Sequence, residues 1–341
     1  MAFVWLANEQ LITPGSTGSF VDVDLSSYIA SGATGVILRY ENRSTTVNPT
    51  MGFRKNGSTD DRKGTVSRTT DGNGAQGTFI CGVDGSRILE IYISTTTDLD
   101  VYLVGYFDNS AVFNTNAVDK SIGSTGAWTD VDISGDTGGD TAIAAIVETD
   151  GFTAMGTRKN GSTDDRRRNY NAYQNAHIIG VDGSEIFENH IVSTVGDILL
   201  QGYITTDATF NTNASNYSLG STGSYNDLTA LPVGGTGGFF EVVATDAGGN
   251  NEMYIRKNGS TDDFFRNIQA HHFHTAEGDG SRITEGKIQD TDTDFFLVGY
   301  ATAVVGSSQI KKFISISQAN LKKVSSITNA NIKKLAGVAN V

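Results

Sequence analysis

The string Arg-Lys-Asn-Gly-Ser-Thr-Asp-Asp stands three times in this chain of 341 residues, at 54–61, 158–165 and 256–263. Three shorter strings keep step with it. Gly-Ser-Thr-Gly begins at Gly15, Gly123 and Gly220, Asp-Gly-Ser at Asp84, Asp182 and Asp279, and Gly-Tyr at Gly105, Gly202 and Gly299. A tandem repeat of this kind decides the architecture before any single motif is weighed. Three modules are expected, at 1–107, 108–204 and 205–303, with a tail at 304–341. The repeat also supplies a test: a catalytic or ligand group that the module needs should recur in phase.

Within a module the pattern is that of strands. Phe20-Val21-Asp22-Val23-Asp24-Leu25 and Trp128-Thr129-Asp130-Val131-Asp132-Ile133 alternate at period two, which places Val23, Val131 and Leu228 on an inward face. Near-continuous apolar runs come next at 36–38, 142–147 and 239–243, as expected of strands deep in a sandwich. Met51, Met155 and Met253 share one module position and read as core filler. The repeated Asn-Gly predicts a type I′ hairpin, with Arg-Lys before the turn pairing across the ladder with Asp-Asp after it. The glycine of Gly-Tyr, inside a run of strong β-formers, predicts a bulge or a close backbone approach. Trp5, Phe113 and Phe210 are also in phase. The expected fold class is all-β: three tandem jelly-roll-like β-sandwiches of about eight strands, plus a short repeat tail. Only seven residues separate Tyr106 from Phe113 and Tyr203 from Phe210, so a stiff row of three beads is expected, on the order of 100 Å long.

The formal charge is −13, unevenly spread: 308–341 hold six lysines and no acid, leaving 19 basic against 38 acidic groups in the rest. So acidic a body repels phosphates, and no nucleic acid partner is expected. Cys81, the sole cysteine, excludes an intramolecular disulfide. The first residues carry no basic stretch before their short apolar run, and no run approaches the ~18 apolar residues of a membrane span. A chain folded in a bacterial cytoplasm and released by lysis is the expectation.

The tail has its own period of eleven. It places apolar residues at Ile310, Phe313 and Ile316, then Leu321, Val324 and Ile327, then Ile332, Leu335 and Val338. A right-handed coiled coil and alternating helical turns and extended steps both fit this spacing. Either way, so narrow a stripe needs a partner to be buried, which makes these nine residues the candidate oligomerisation or anchor site. The Lys-Lys pairs beside them would dock on an acidic surface or simply solvate the tail.

The Ala-Asn-Ile-Lys-Lys-x-x-Gly-Val-Ala segment resembles C-terminal repeats of virion-associated proteins of tailed phages. The Gly/Thr-rich modules are similar to those of phage head fibres, decoration proteins and tail fibres. The resemblance implies a non-enzymatic structural or adhesive component on the outer surface of a virion. Its partners would be other copies of the chain, as a homotrimer, capsid or tail proteins, and a host-surface glycan. A carbohydrate-binding adhesin, using loops at one end of each sandwich, is the alternative.

Other site chemistries compete poorly. The pairs Asp60/Asp61, Asp164/Asp165 and Asp262/Asp263, with Asp84, Asp182 and Asp279, would offer oxygen ligands to calcium, but exposed turns with weak ion pairs account for them as well. In His271-His272-Phe273-His274, His272 and His274 would share a strand face, and His274 is in phase with His177. The first module has Phe79 there, which favours packing over metal. No Cys/His or Ser/His set recurs, and no Gly-Lys-Ser/Thr opens a phosphate loop. Neither catalytic residues nor a metal or cofactor is expected.

Overall fold

Short alternating segments between tight turns become strands throughout. The computed structural model describes residues 3–66, 75–151, 154–169, 175–229, 231–244, 251–268 and 271–303. The first set of strands is β1 (Phe3–Leu11), β2 (Val21–Asp24), β3 (Gly35–Asn42), β4 (Thr50–Lys55), β5 (Gly64–Thr65), β6 (Ala75–Gly82), β7 (Ile88–Ile93) and β8 (Leu99–Phe107). The second is β9 (Ala111–Asp119), β10 (Thr129–Asp132), β11 (Ala144–Asp150), β12 (Ala154–Lys159), β13 (Arg168–Asn169), β14 (Asn175–Gly180), β15 (Ile186–Ile191) and β16 (Asp197–Ile204), with a 3-10 turn at Ser134–Asp136. The third is β17 (Ala208–Asn216), β18 (Asn226–Leu228), β19 (Gly235–Ala244), β20 (Glu252–Lys257), β21 (Arg266–Asn267), β22 (His271–Glu277), β23 (Thr284–Ile288) and β24 (Thr293–Thr302).

Each set repeats one connectivity. Strands pair in the orders β1-β8-β3-β6 and β2-β7-β4-β5, then β9-β16-β11-β14 and β10-β15-β12-β13, then β17-β24-β19-β22 and β18-β23-β20-β21. These interleaved orders are those of a jelly roll, and the chain is all-β. Among the described residues no helix is long and apolar enough to cross a membrane.

Several local expectations hold. Met51, Met155 and Met253 are buried, as are Val131 and Leu228, while Val23 is half-buried. Opposite the Gly-Tyr strands the register slips between Ile37 and Leu38, Ile146 and Val147, and Phe239 and Phe240. A Cβ on Gly105 would stand 2.6 Å from the Val4 carbonyl oxygen, and one on Gly202 would stand 2.2 Å from that of Val112. Bulge and close approach therefore occur together.

The stiff row does not form. Residues up to Ala303 make one compact unit. One apolar cluster runs from Phe3, Ile37 and Phe107 through Phe113, Ile146 and Ile178 to Phe210, Phe239 and Phe273, so it draws on all three modules. The sheet-edge strands β6, β14 and β22 touch one another pairwise, and a single parallel bridge, Asn267 to Ala75, joins the third module to the first. The arrangement is a closed ring. The cause lies in the near-continuous apolar strands: every residue of β3 is buried, because one face meets its own sandwich and the other meets a neighbour.

Candidate functional site

The repeated octapeptide begins at the end of β4, β12 and β20. Ser58 N–H donates to the Lys55 carbonyl at 3.0 Å, with Ser162 to Lys159 at 3.1 Å and Ser260 to Lys257 at 3.0 Å. Gly57, Gly161 and Gly259 carry φ of +82°, +81° and +77°, but the preceding asparagines have no positive φ. The turn is thus of type II, which needs one left-handed residue, and not the type I′ that needs two. The chain folds back only beyond the octapeptide, where β5, β13 and β21 pair antiparallel with the starts of β4, β12 and β20, so Arg-Lys and Asp-Asp are not partners across that ladder. Arg54 grips Glu90 with two prongs, at 2.8 and 2.9 Å, and donates to the Asp60 carbonyl at 2.7 Å. Arg158 repeats both prongs with Glu188, and Arg256 meets Glu285 through Nε at 2.9 Å; each also donates to the aspartate carbonyl, of Asp164 and Asp262. The asparagine amides reach Asp84, Asp182 and Asp279 at 2.7, 2.8 and 2.9 Å. Asp84 also accepts from Ser86 N–H and Ile88 N–H, which hold its carboxyl below the usual range against the opposing effect of burial. Backbone and amide donors fill the places that calcium would need.

Past the turn, the Ser-Thr-Asp of the octapeptide clasps the next module. Asn116 accepts from Ser58 Oγ at 2.8 Å and Thr59 N–H at 2.9 Å, and Asp60 accepts from Ala117 N–H at 2.8 Å. Asn213, Ser162, Thr163, Asp164 and Ala214 repeat the clasp between the second and third modules. Beside each clasp an ion pair between a half-buried arginine and a buried glutamate crosses the interface: Arg62 Nε to Glu148 at 3.1 Å and Arg166 Nε to Glu241 at 2.5 Å. Burial raises Glu148 to about 7 although Arg62 opposes it. At Glu241 burial is outweighed by Arg166 and His271, which carry the carboxyl down to about 2.

The third interface, which closes the ring, is built differently. Arg39 occupies the β3 position that Glu148 and Glu241 hold on β11 and β19, each facing the strand partner two residues past the bulge. The third Asp-Asp is succeeded by Phe264, where the others have Arg62 and Arg166. The Arg39 guanidinium stacks on Phe264, meets Glu9 at 2.7 Å and Glu41 at 3.4 Å, and Tyr254 donates to Glu9 at 2.7 Å. Arg266 reaches Glu41 at 2.6 Å. A cleft of about 50 Å³ lies against Glu9, Arg39, Tyr254 and His274, and one of about 20 Å³ against Arg166, His177 and Glu241. The smaller has room for about one water and the larger for a few. Sequence reasoning passed over these charges; the available signal was a lone Glu241 inside the run Phe239-Phe240-Glu241-Val242-Val243.

His177, His271, His272 and His274 lie in the same interfaces, whereas His190 packs edge-on to Trp128 within the second module. His177 and His271 stand ring to ring at 5.6 Å, His271 bonds Glu241, and His272 and His274 are buried. Burial, with neighbouring positive groups, presses His177 and His274 down to about 3 and His272 well below its ordinary value. Among the described residues no three His, Cys, Asp or Glu side chains are grouped to hold a metal. Cys81 is buried in β6 and burial pushes its thiol up.

A second constellation lies on the outward face of the sheets carrying β2, β10 and β18. The segments 15–22, 123–130 and 220–227 share the pattern Gly-Ser-Thr-Gly-x-aromatic-x-Asp. The aromatics Phe20, Trp128 and Tyr225 are half-buried, with the guanidinium carbons of Arg54, Arg158 and Arg256 at 3.9, 4.0 and 3.4 Å from the ring centroids. Asp22, Asp130 and Asp227 are exposed, each directly across the ladder from a glutamate: Glu90, Glu188 and Glu285. The nine tail residues Ile310, Phe313, Ile316, Leu321, Val324, Ile327, Ile332, Leu335 and Val338 lie outside the described residues.

No family model matches the chain, and no curated protein does. Among solved structures it is similar to the tandem of CBM22-1 and CBM22-2 domains from Paenibacillus barcinonensis Xyn10C, at 10% identity over 60% of this chain and 93% of that one, with a TM-score of 0.17. It is also similar to the M60 catalytic domain with CBM51-1 and CBM51-2 of Clostridium perfringens ZmpB, at 11% identity over 83% of this chain and 34% of that one, with a TM-score of 0.19. Likeness at that level carries no functional argument.

Proposed function

We propose that this chain is a non-enzymatic structural component displayed on the outside of a virus particle, with residues 304–341 as anchor or oligomerisation segment. The observation that carries this reading is the closed ring: clasps and ion pairs tie three jelly rolls into one body, a build suited to display. Support also comes from the charge split, with the lysines of the tail set against an acidic body. A homotrimer would be made through the tail, since the module faces that a trimer of single modules would use are filled within one chain. Removing 308–341 is expected to abolish self-association and particle attachment. An unchanged mass by light scattering together with unchanged particle binding would overturn the reading.

A second reading, a carbohydrate-binding adhesin, is favoured by the exposed Gly-Ser-Thr-Gly-x-aromatic-x-Asp segments, which recur in all three modules. Retention of the full chain on immobilised host polysaccharide tests it.

A further inference from the structure

We propose that each Gly-Ser-Thr-Gly-x-aromatic-x-Asp segment is a contact site for a neutral glycan, three sites to a chain; this rests on the adhesive reading. The other repeated strings have reasons inside the fold. The octapeptide clasps a neighbour. Asp-Gly-Ser accepts the asparagine amide and leads into a left-handed residue at Arg87, Glu185 and Arg282. Gly-Tyr lets two strands approach.

Gly-Ser-Thr-Gly is accounted for only in part. Its closing glycines, Gly18, Gly126 and Gly223, have φ of +86°, +82° and +83° and donate to the carbonyls of Ile93, Ile191 and Ile288. The serine and threonine between the glycines are exposed in every module. Of their six side chains, Ser124 alone has a hydrogen-bond partner among the described residues, Thr129. Folding supplies no reason for the same pair of hydroxyls three times.

The aspartates add an independent observation. Asp22, Asp130 and Asp227 each face a glutamate across an antiparallel ladder, and like charges so placed are destabilising. The arginines engage the glutamates and leave the aspartates as open acceptors. A stability cost repeated in three modules points to use.

The chemistry is that of sugar recognition. A half-buried aromatic ring offers π surface to the C–H face of a pyranose, and the exposed hydroxyls and carboxylate of the same segment can accept its hydroxyl protons. The body's excess of acid disfavours an anionic polymer, which selects neutral glycans. A repeating polysaccharide long enough to reach two of the three sites would gain avidity of roughly 10² to 10⁴.

The test is retention of the full chain on immobilised neutral and acidic polysaccharides, beside D22A/D130A/D227A and W128A variants and their melting temperatures. The triple variant is expected to melt no lower than the parent, since it loses three like-charge pairs, while its retention on neutral polysaccharide falls at least tenfold. W128A is expected to lose part of the avidity. If the parent binds and the triple variant binds equally well, this site assignment is wrong while the adhesive reading stands. If the parent is retained by no polysaccharide, both are overturned. Preference for an acidic polymer, or a triple variant that melts well below the parent, also overturns the assignment.

Discussion

The guanidinium of Arg39 lies 3.7 Å from the centroid of the Phe264 ring, at two positions that elsewhere in the ring carry a glutamate and an arginine. Both sides of the closing interface have changed together. The surfaces of Arg62 and Arg166 suit Glu148 and Glu241, but set against Arg39 either arginine would meet a like charge. The interfaces are head-to-tail, and such contacts either close or propagate. The Arg39–Phe264 contact marks which pair of modules closes the ring, a specificity gained by penalising the wrong pairing.

Phe264→Arg should therefore lower the melting temperature by opposing two guanidinium groups. Adding Arg39→Glu and Glu9→Ala, which copies the residues of the other interfaces, should recover much of the loss. Scattering mass then reports whether three equivalent interfaces also admit larger assemblies. If F264R melts like the parent, the contact has no role in closure.

Arg62→Met leaves Glu148 buried without its partner. Loss of one member of a buried pair costs about 3–5 kcal/mol. Because burial already raises Glu148 to about 7, its protonation should shrink that cost at pH 6 relative to pH 8. R62M/E148L should be more stable than R62M at pH 8, as chemical denaturation would show.

Acid should act in two stages. His177 and His274 stay neutral in the fold down to about 3, whereas the unfolded chain protonates them near 6.5, so they cost stability as pH falls through that window. Glu148 and Asp150, which burial raises to about 7 and about 6, act oppositely: the fold keeps protons there that the unfolded chain releases above about 4–4.5. His272 adds to the first effect and Glu9, which burial raises, adds to the second, so the two sets oppose each other between about pH 4.5 and 6. Below that the histidines remain, joined by Glu241, whose depressed carboxyl is charged only in the fold. Denaturation midpoints should hold nearly level and then fall steeply below about pH 4.5, and less steeply in H177F/H274F. An equally steep fall in that variant would contradict the assignment.

Gly202→Ala would drive a Cβ to 2.2 Å from the Val112 carbonyl oxygen, whereas a Cβ on Gly183 meets nothing within 4 Å. The first substitution should cost roughly 1–3 kcal/mol by overpacking, and the second should stay within about 0.5 kcal/mol. Similar midpoints for the two would remove the close-approach explanation of the Gly-Tyr strand.

The local elements were legible along the chain because strand alternation, the left-handed glycine of a turn and a bulge beside Gly105 depend on neighbours a few residues away. The buried methionines were legible for the same reason. What Arg62, Glu148, Glu241 and Arg39 are for was not, since each answers to a residue many positions distant on another module. Asp60 looks like an exposed turn acid until Ala117 N–H is brought to it. An apolar strand announces that it will be buried, but not whether one face or two will be covered. Only the tertiary structure decided that β3, β11 and β19 are covered twice, which turned an expected row of modules into a ring.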